Sequence, residues 1–322
     1  MVSIAGVTYW LPPNVFTVRE LAGRRLLRGR ADTLEGFGFC QARIATDETH
    51  TDMAIHAARA LLEETATDPL DVDVVLYATA LSSSATMAPL TSPPDPVLRL
   101  DDVMDLFKYP ASRLQSELDL DNAIVSGVGQ QGCASLFSAL RIGRDMLLAE
   151  DGIETVLCVA ADRLPPDSPR DVVYNLVSDG ACAVLLSRTG AGNHILSCHQ
   201  VTKGAMWDPG SQEAEVISTY FPTARTVISD ALRKAGVTLD DIAWVIPHNV
   251  SLRSWEILLG MLECPREKLF SANIGRVGHT IAADNFINLR DATEAGLLAK
   301  GDLLLLFTFG FGLNWSCTVV EH

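Results

Sequence analysis

The stretch Asn122–Glu150, NAIVSGVGQQGCASLFSALRIGRDMLLAE, contains the pattern from which the fold can be predicted. Its apolar beginning, Ala123–Val128, predicts a buried strand, and the glycines that follow predict a tight turn. From Cys133 onward the apolar residues recur with helical spacing. This spacing predicts a buried helix that opens at the cysteine and whose apolar residues are Leu136, Phe137, Leu140, Ile142 and Leu147.

The position of Cys133 at a predicted helix N-terminus has chemical consequences. The unpaired backbone N–H groups and the positive end of the helix dipole favour a thiolate over a thiol. The same N–H groups can stabilise an oxyanion. Free cysteines are also common as small buried residues. The spacing alone therefore leaves two interpretations open, a nucleophile and a structural residue.

The composition narrows the class of protein. With 322 residues, 48% of them hydrophobic, the chain can bury a large core or two fused ones. A formal net charge of −15 argues against nucleic acid and anionic membrane surfaces as partners. The sequence has no signal-peptide pattern and no apolar run long enough to span a bilayer. Seven scattered cysteines, without metal-type spacing, predict a reduced, cytoplasmic protein without a bound metal.

The second half of the chain repeats the first. A predicted helix at 211–235 precedes VTLDDIAWVIPHNV, as a predicted helix at 49–65 precedes DPLDVDVVLYATA. LFSANIGRVGHTIAADNFINL, at 269–289, mirrors the strand, glycine turn and helix around Cys133. The repeat predicts an α/β fold with halves at 1–190 and 191–322 that fuse into a five-layered α/β/α/β/α body with mostly parallel sheets. Two independent α/β domains are the alternative.

Candidate catalytic residues lie on the turns that the duplication brings together. His248, in VIPHNVSLR, follows a predicted strand, and His279, in GRVGHTIAAD, opens the helix that mirrors the one after Cys133. A histidine beside a cysteine can accept the thiol proton. Asp284 can orient a histidine as the third member of a triad, or it is a solvated helix carboxylate. Phe311, in TFGFGLNW, can supply a second oxyanion N–H beside that of Cys133.

Over almost its whole length the chain resembles the thiolase-fold ketoacyl synthase III proteins and their acyltransferase relatives. GQQGCASL matches the turn that carries the family's nucleophile, and PHNVSLR matches its PHQAN-like motif. GFGLNW matches the GFGGGxxW ending, and SDGACAVLL, at 178–186, matches the GDGAGA-like strand. The resemblance implies that Cys133 is the nucleophile and that Arg253 helps to dock an acyl carrier protein.

The departures from the family pattern point to a reaction. Condensing members have an asparagine in GNTSAA, which helps a histidine to stabilise the enolate formed on decarboxylation, whereas this chain has His279 in GHTIAAD. The pattern GHxxxxDN is similar to relatives in antibiotic pathways that move an acyl group to an alcohol or amine. The tryptophan and arginine that clamp the adenine of coenzyme A have no counterpart around Leu34–Arg43. A carrier-protein thioester is therefore the expected donor, ahead of a coenzyme A thioester.

The resemblance leads to the following expectations. The chain is expected to be an acyltransferase of polyketide or other secondary metabolism that forms an acyl-enzyme on Cys133 and uses no cofactor beyond the thioester substrate. Decarboxylative condensation of an acyl starter with a malonyl thioester is the alternative, and a non-catalytic partner subunit is a third. The strand at 155–161 is expected to pair with its copy in a homodimer. A long loop is predicted at 82–96, and one or two short helices at 101–118.

Overall fold

The computed structural model describes residues 1–81, 107–165, 167–190, 192–206 and 212–322. The strands are β1 Ser3–Trp10, β2 Val15–Thr17, β3 Gln41–Arg43, β4 Val74–Ala78, β5 Ile124–Val128, β6 Thr155–Asp162, β7 Asp171–Val172, β8 Asn175–Leu176, β9 Gly180–Ser187, β10 His194–Thr202, β11 Ile242–Pro247, β12 Leu303–Gly310 and β13 Asn314–Glu321. The α-helices are α1 Val18–Gly23, α2 Ala31–Gly36, α3 His50–Thr65, α4 Pro110–Glu117, α5 Ser135–Ala149, α6 Glu213–Ala235, α7 Leu252–Leu262, α8 Ala272–Arg276 and α9 Asp284–Glu294.

Several of these elements follow from local sequence. Helix α3 begins after Thr49, whose side chain accepts a hydrogen bond from the backbone N–H of Asp52 while the Asp52 carboxylate accepts one from that of Thr49. The helix predicted at 49–65 is thereby confirmed, and α6 confirms the one predicted at 211–235. The loop predicted at 82–96 lies outside the described residues, as does the first part of the helices predicted at 101–118.

The main sheet shows the duplication directly. Its strand order is β11-β12-β13-β10-β1-β9-β6-β4-β5. In the first half β4 runs parallel to β5 and β6, and β6 pairs with the antiparallel β9. The second half repeats this with β11 parallel to β12 and β12 antiparallel to β13. The counterpart of β5 is reduced there to a single bridge between Val245 and Leu269. The halves join where β1 meets β10 at the pair Ser3 and His194.

Three groups of buried side chains separate the layers. One lies between α3 and the first half of the sheet, and another lies between the second half and helices α6 and α7. The third combines residues of α5 and α9 with inward-facing residues of both halves, and the rings of Phe137 and Phe286 approach to 5.3 Å there. The five-layered α/β/α/β/α architecture is confirmed, with α5 and α9 as the central layer.

Two sequence predictions about β5 and β6 are wrong. The run Ala123–Val128 was expected to be buried, but Ile124 is 63% exposed because β5 is the last strand of the sheet and has a neighbour on one side only. The strand at 155–161 was expected to pair with its copy. It forms most of β6, which already has β4 and β9 on its two sides, so its backbone cannot pair with another chain.

The predicted burial of Ile142 is also wrong. Ile142 was placed on the buried side of α5, but it is 42% exposed because it points away from the stripe that holds Leu136 and Leu140.

All seven cysteines are free thiols. Among the described residues, no helix combines the length and the apolar character needed to cross a bilayer.

Candidate active site

The nucleophile loop is held in extremely close contact with the end of β12. Cys133 lies in a 3-10 turn, Gly132–Ala134, two residues before α5 begins. A Cβ on Gly132 would stand 2.6 Å from the backbone nitrogen of Phe311, and a Cβ on Gly310 would stand 2.6 Å from that of Cys133. Gly132 also has a φ of +52°. Only glycine permits this approach, which brings the backbone nitrogens of Cys133 and Phe311 to the same corner of the site.

His279 reaches Cys133 from the second half of the chain. Its backbone N–H donates to the carbonyl of Leu176, and its carbonyl accepts from the N–H of Ser178. The ring nitrogen Nε2 lies 3.4 Å from the Sγ of Cys133. The prediction that His279 opens a helix is wrong, since α9 begins five residues later, after a loop that includes Gly278 at a φ of +78°.

Asp284 is the hydrogen-bond partner of His279. It is the first residue of α9 and is fully buried, so the interpretation as a solvated carboxylate does not hold. Its Oδ2 lies 2.5 Å from Nδ1 of His279 and accepts from the N–H of Asn249 at 2.6 Å. Its Oδ1 accepts from the N–H and the hydroxyl of Thr280. Because an ionised carboxylate only accepts hydrogen bonds, Nδ1 carries a proton and Nε2 faces Cys133.

The charges of this cluster stabilise one another. Burial by itself lowers the pKa of His279, but the Asp284 carboxylate and then the Cys133 sulfur outweigh burial and hold the pKa well above its ordinary value. Burial raises the pKa of Asp284, and the charge and hydrogen bond of His279 reverse that effect and leave the pKa below its ordinary value. The arrangement therefore favours the imidazolium form of His279, which is the form that results when Nε2 takes the thiol proton.

His248 does not join the cluster. It follows β11 as predicted, but it is fully buried between Trp255 and Phe307, and its ring centre lies 6.3 Å from that of His279. Burial first, and the neighbouring His279 second, lower the pKa of His248 to about 3. Its side chain is thus a neutral imidazole behind His279 and does not line the cavity in front of Cys133.

The cavity that opens in front of Cys133 and His279 is apolar. It encloses about 410 Å³. Its walls combine aliphatic side chains with six aromatic ones: Phe37, Tyr174, Tyr220, Phe221, Phe309 and Phe311. Arg253, the predicted carrier-docking residue, also lines it, with a side chain that is 67% exposed and paired with Glu256. An aromatic lining of this size suits an apolar organic group.

Sequence analysis did not identify the hairpin formed by β7 and β8. Its two-residue turn, Val173 and Tyr174, projects into the wall of the cavity. Valine and tyrosine are typical of strands, and neither glycine nor asparagine occupies the turn to indicate it.

The first prediction concerns the reactivity of Cys133. At pH 7 we expect iodoacetamide to label Cys133 faster than the other cysteines, because Nε2 of His279 can take its proton. Burial raises the pKa of Cys158, Cys182, Cys198, Cys264 and Cys317. His279→Ala should slow labelling of Cys133 by about tenfold or more, and peptide mass spectrometry measures it. Labelling of the exposed Cys40 is the internal control, and equal slowing at both sites would contradict the assignment.

The second prediction concerns pH-dependent stability. The pKa of His248 is about 3 in the folded chain and near 6.5 when unfolded, so protons bind the unfolded state more tightly between these values. His248 therefore contributes a loss of stability as the pH falls through this window. As the pH falls from 7 to 4.5, the free energy of unfolding should decrease in both proteins. We expect the decrease to be roughly 2–3 kcal/mol smaller for His248→Phe than for the parent chain. Urea unfolding at both pH values measures this, and parallel losses in the two proteins would contradict the burial of a neutral His248.

Family models match two parts of the chain. Residues 129–204 match 3-oxoacyl-[acyl-carrier-protein] synthase III, and residues 232–322 match the C-terminal part of that family. The chain is 26% identical over 335 residues to the beta-ketoacyl-[acyl-carrier-protein] synthase III of Aquifex aeolicus, with 99% of each chain covered. It is 29% identical over 337 residues to the protein of the same name from Geobacillus kaustophilus, with 99% and 98% covered.

Solved structures show the same fold. The synthase III of Aquifex aeolicus superimposes with a TM-score of 0.83 at 24% identity, with both chains fully covered. A protein named ChlB3, described as an acyltransferase, gives a TM-score of 0.83 at 24% identity over 99% of this chain and 97% of its own. Together with the family models, these likenesses show that the chain is a ketoacyl synthase III-like member of the thiolase superfamily.

Proposed function

We propose that this enzyme transfers an acyl group from a carrier-protein thioester, or less favourably a coenzyme A thioester, to a hydroxyl or amine acceptor in secondary metabolism. The observation that carries the proposal is the continuous chain of contacts from Cys133 through His279 to Asp284. This is a nucleophile, a base and an orienting carboxylate in the geometry used by acyl-transferring triads. Polyketide or antibiotic biosynthesis is the proposed setting.

The first step would place the acyl group on Cys133. His279 takes the thiol proton, the sulfur attacks the thioester carbonyl, and a new carbon–sulfur bond forms as the donor thiol leaves with a proton. The backbone N–H groups of Cys133 and Phe311 would hold the oxyanion, and the glycine-dependent approach of their loops supports that assignment. This step requires only protein groups, so we propose no resident cofactor or metal.

The second step follows from the electrostatics of the cluster. Acylation removes the charge that Cys133 can carry, and that charge is one cause of the raised pKa of His279. The pKa of His279 should therefore fall once the acyl-enzyme has formed, so that Nε2, which has given its proton to the departing donor thiol, stays unprotonated. Asp284 keeps the proton on Nδ1, and the free Nε2 can then deprotonate the incoming acceptor.

Decarboxylative condensation with a malonyl thioester is the second candidate, and the names of the curated relatives favour it, since these are beta-ketoacyl-[acyl-carrier-protein] synthases III. Such a reaction needs two hydrogen-bond donors that converge on the malonyl thioester carbonyl. Here His248, which would be one of them, is fully buried and does not line the cavity. The side-chain geometry therefore favours transfer over condensation. A non-catalytic partner subunit is less well supported, because Cys133 is retained beside His279.

The proposed partners follow from the same site. An acyl carrier protein would present its thioester at the cavity mouth, where Arg253 is exposed and positively charged. A small-molecule acceptor would enter the same cavity. We place the protein in the reducing cytoplasm, in agreement with seven free thiols.

We propose that the homodimer predicted from the sequence forms through β5 instead of β6. An edge strand presents unpaired backbone N–H and C=O groups that another strand can complete. The exposed Ile124 would be covered by the partner chain across a two-fold axis.

The prediction that tests the reaction concerns Asp284. Asp284→Asn should slow transfer from acyl-Cys133 to acceptor by roughly a hundredfold or more, because the imidazole loses its orienting carboxylate. Acylation of Cys133 should survive much better. Intact-mass spectrometry with labelled acyl-carrier thioesters measures both stages, and the ester or amide product is scored against released carbon dioxide.

Two controls accompany this test. Glu294→Gln, on the exposed end of the same helix, should change neither stage. Cys133→Ala should accumulate no adduct. Normal transfer by the Asp284→Asn chain, together with carbon dioxide release from a malonyl-carrier thioester, would establish condensation in place of transfer.

A further prediction concerns assembly. Light scattering at micromolar concentration should give a mass near twice 34.8 kDa. Ile124→Lys should lower the mass to that of a monomer, because the charge would be buried without a partner at the strand edge. Leu297→Lys alters another exposed apolar residue, beyond α9, and should leave the dimer intact. A monomeric parent chain would refute the dimer, and a dimeric Ile124→Lys variant would refute its placement at β5.

A further inference from the structure

The turn between β7 and β8 is strained and apolar at once. Val173 has a φ of +43° and Tyr174 a φ of +65°, so both lie in the left-handed region. Two-residue turns of this kind strongly prefer Asn-Gly, and a β-branched residue at positive φ is an outlier. The two side chains are 44% and 56% exposed and line the cavity. Neither the backbone conformation nor the exposure of these residues favours folding, which points to a role in binding.

Contacts at both ends keep the hairpin in this conformation. The carboxylate of Asp171 accepts hydrogen bonds from the backbone N–H groups of Arg28 and Gly29, at 2.8 and 2.6 Å. The side chain of Asn175 accepts from the N–H of Ser251 and donates to the carbonyl of Val173. Strained residues persist where their surroundings fix them in this way, and such residues cluster at ligand clamps.

Tyr174 of this turn contacts a second aromatic side chain of the cavity wall, that of Phe37. The ring of Tyr174 lies edge-on to that of Phe37, with ring centres 6.1 Å apart. Both rings line the cavity that contains Cys133 and His279. Within the described residues, the cavity walls carry no carboxylate, and Arg253 and His279 are their charged groups. A cationic amine would therefore find no counter-charge there, whereas the ring of a neutral molecule can pack on the aromatic walls.

We propose that Val173 and Tyr174, with Phe37, form an apolar clamp that holds the acyl acceptor, and that the acceptor is a neutral alcohol built on a ring. The proposal rests on the proposed function, in which the acceptor reaches acyl-Cys133. There the hydroxyl oxygen forms a bond to the acyl carbon as the carbon–sulfur bond breaks. The hydroxyl proton moves to Nε2 of His279 and then to the sulfur of Cys133.

The test uses binding, so it does not depend on turnover. Iodoacetamide labelling of Cys133 is followed with increasing 2-phenylethanol, which should protect the thiol. Glycerol and 2-phenylethylammonium, the polar and cationic comparators, should protect at least tenfold less effectively. The double variant Val173→Asn/Tyr174→Gly, which has the residues that this turn prefers, should need at least ten times more 2-phenylethanol for half protection. Protection of each protein is scored against its own labelling rate without alcohol.

Stability separates a clamp from a merely structural turn. The double variant should have a higher thermal midpoint than the parent, since its turn is relieved of strain. Ala66→Gly relieves a left-handed residue, at a φ of +51°, beyond the end of α3 and should leave protection unchanged. The clamp would be overturned if the double variant reached half protection at the same 2-phenylethanol concentration as the parent chain. It would also be overturned if glycerol protected Cys133 as well as 2-phenylethanol does.

Transfer is scored separately on the same proteins. We expect the parent chain to form an ester from acyl-Cys133 and 2-phenylethanol. A higher half-saturating concentration of 2-phenylethanol in the double variant would support the clamp as an acceptor site. Failure of Cys133 to acquire an acyl group from any thioester would refute the proposed function, and the protection result would still decide whether the clamp binds apolar rings. Faster transfer to 2-phenylethylamine than to 2-phenylethanol at pH 7 would overturn the choice of a neutral alcohol.

Discussion

The site depends on the absence of two Cβ atoms. Gly132 and Gly310 let the nucleophile loop and the end of β12 approach so closely that any larger residue would displace backbone. Protein interiors are packed too tightly to absorb such a displacement without a shift of the surrounding elements. The position of Cys133 relative to Phe311 is thus set by backbone contact. The two halves of the chain must therefore dock with backbone in direct contact at this point.

The second half meets this requirement with buried amides. The side chain of Asn285 donates to the carbonyls of Ile246 and Phe307, which lie on neighbouring strands, and Asn288 donates to Pro247 and Asn249. These hydrogen bonds fix α9 to β11 and β12, and Asp284 lies at the beginning of that helix. Because a buried amide without partners is costly, such a network tolerates few alternative placements. The duplicated frame consequently has unequal halves, one holding Cys133 and the other holding His279 and Asp284.

Much of this could be predicted from local patterns. Helical spacing and a capping residue identified α3, the internal repeat gave the layered architecture, and the turn motifs brought Cys133, His279 and Asp284 together. The exposure of β5 could not be predicted, because interior strands and edge strands can have the same apolar sequence pattern. The position of His248 also required the structure, since Trp255 and Phe307, which enclose it, come from α7 and β12. The β7–β8 turn violates local preference and gave no signal.

The separation of the site residues along the chain has a consequence for the synthesis of the protein. Cys133 and His279 are 146 residues apart. Asp284 accepts hydrogen bonds from two loop segments, one at Asn249 and one at His279 and Thr280. The ribosome synthesises Cys133 before His279, Asp284 and Phe311, which complete its surroundings. Until β12 is in place, Cys133 has neither the Phe311 backbone nor an imidazole beside it. The thiol of Cys133 therefore gains these contacts only after the second half of the chain has been synthesised and has docked against the first.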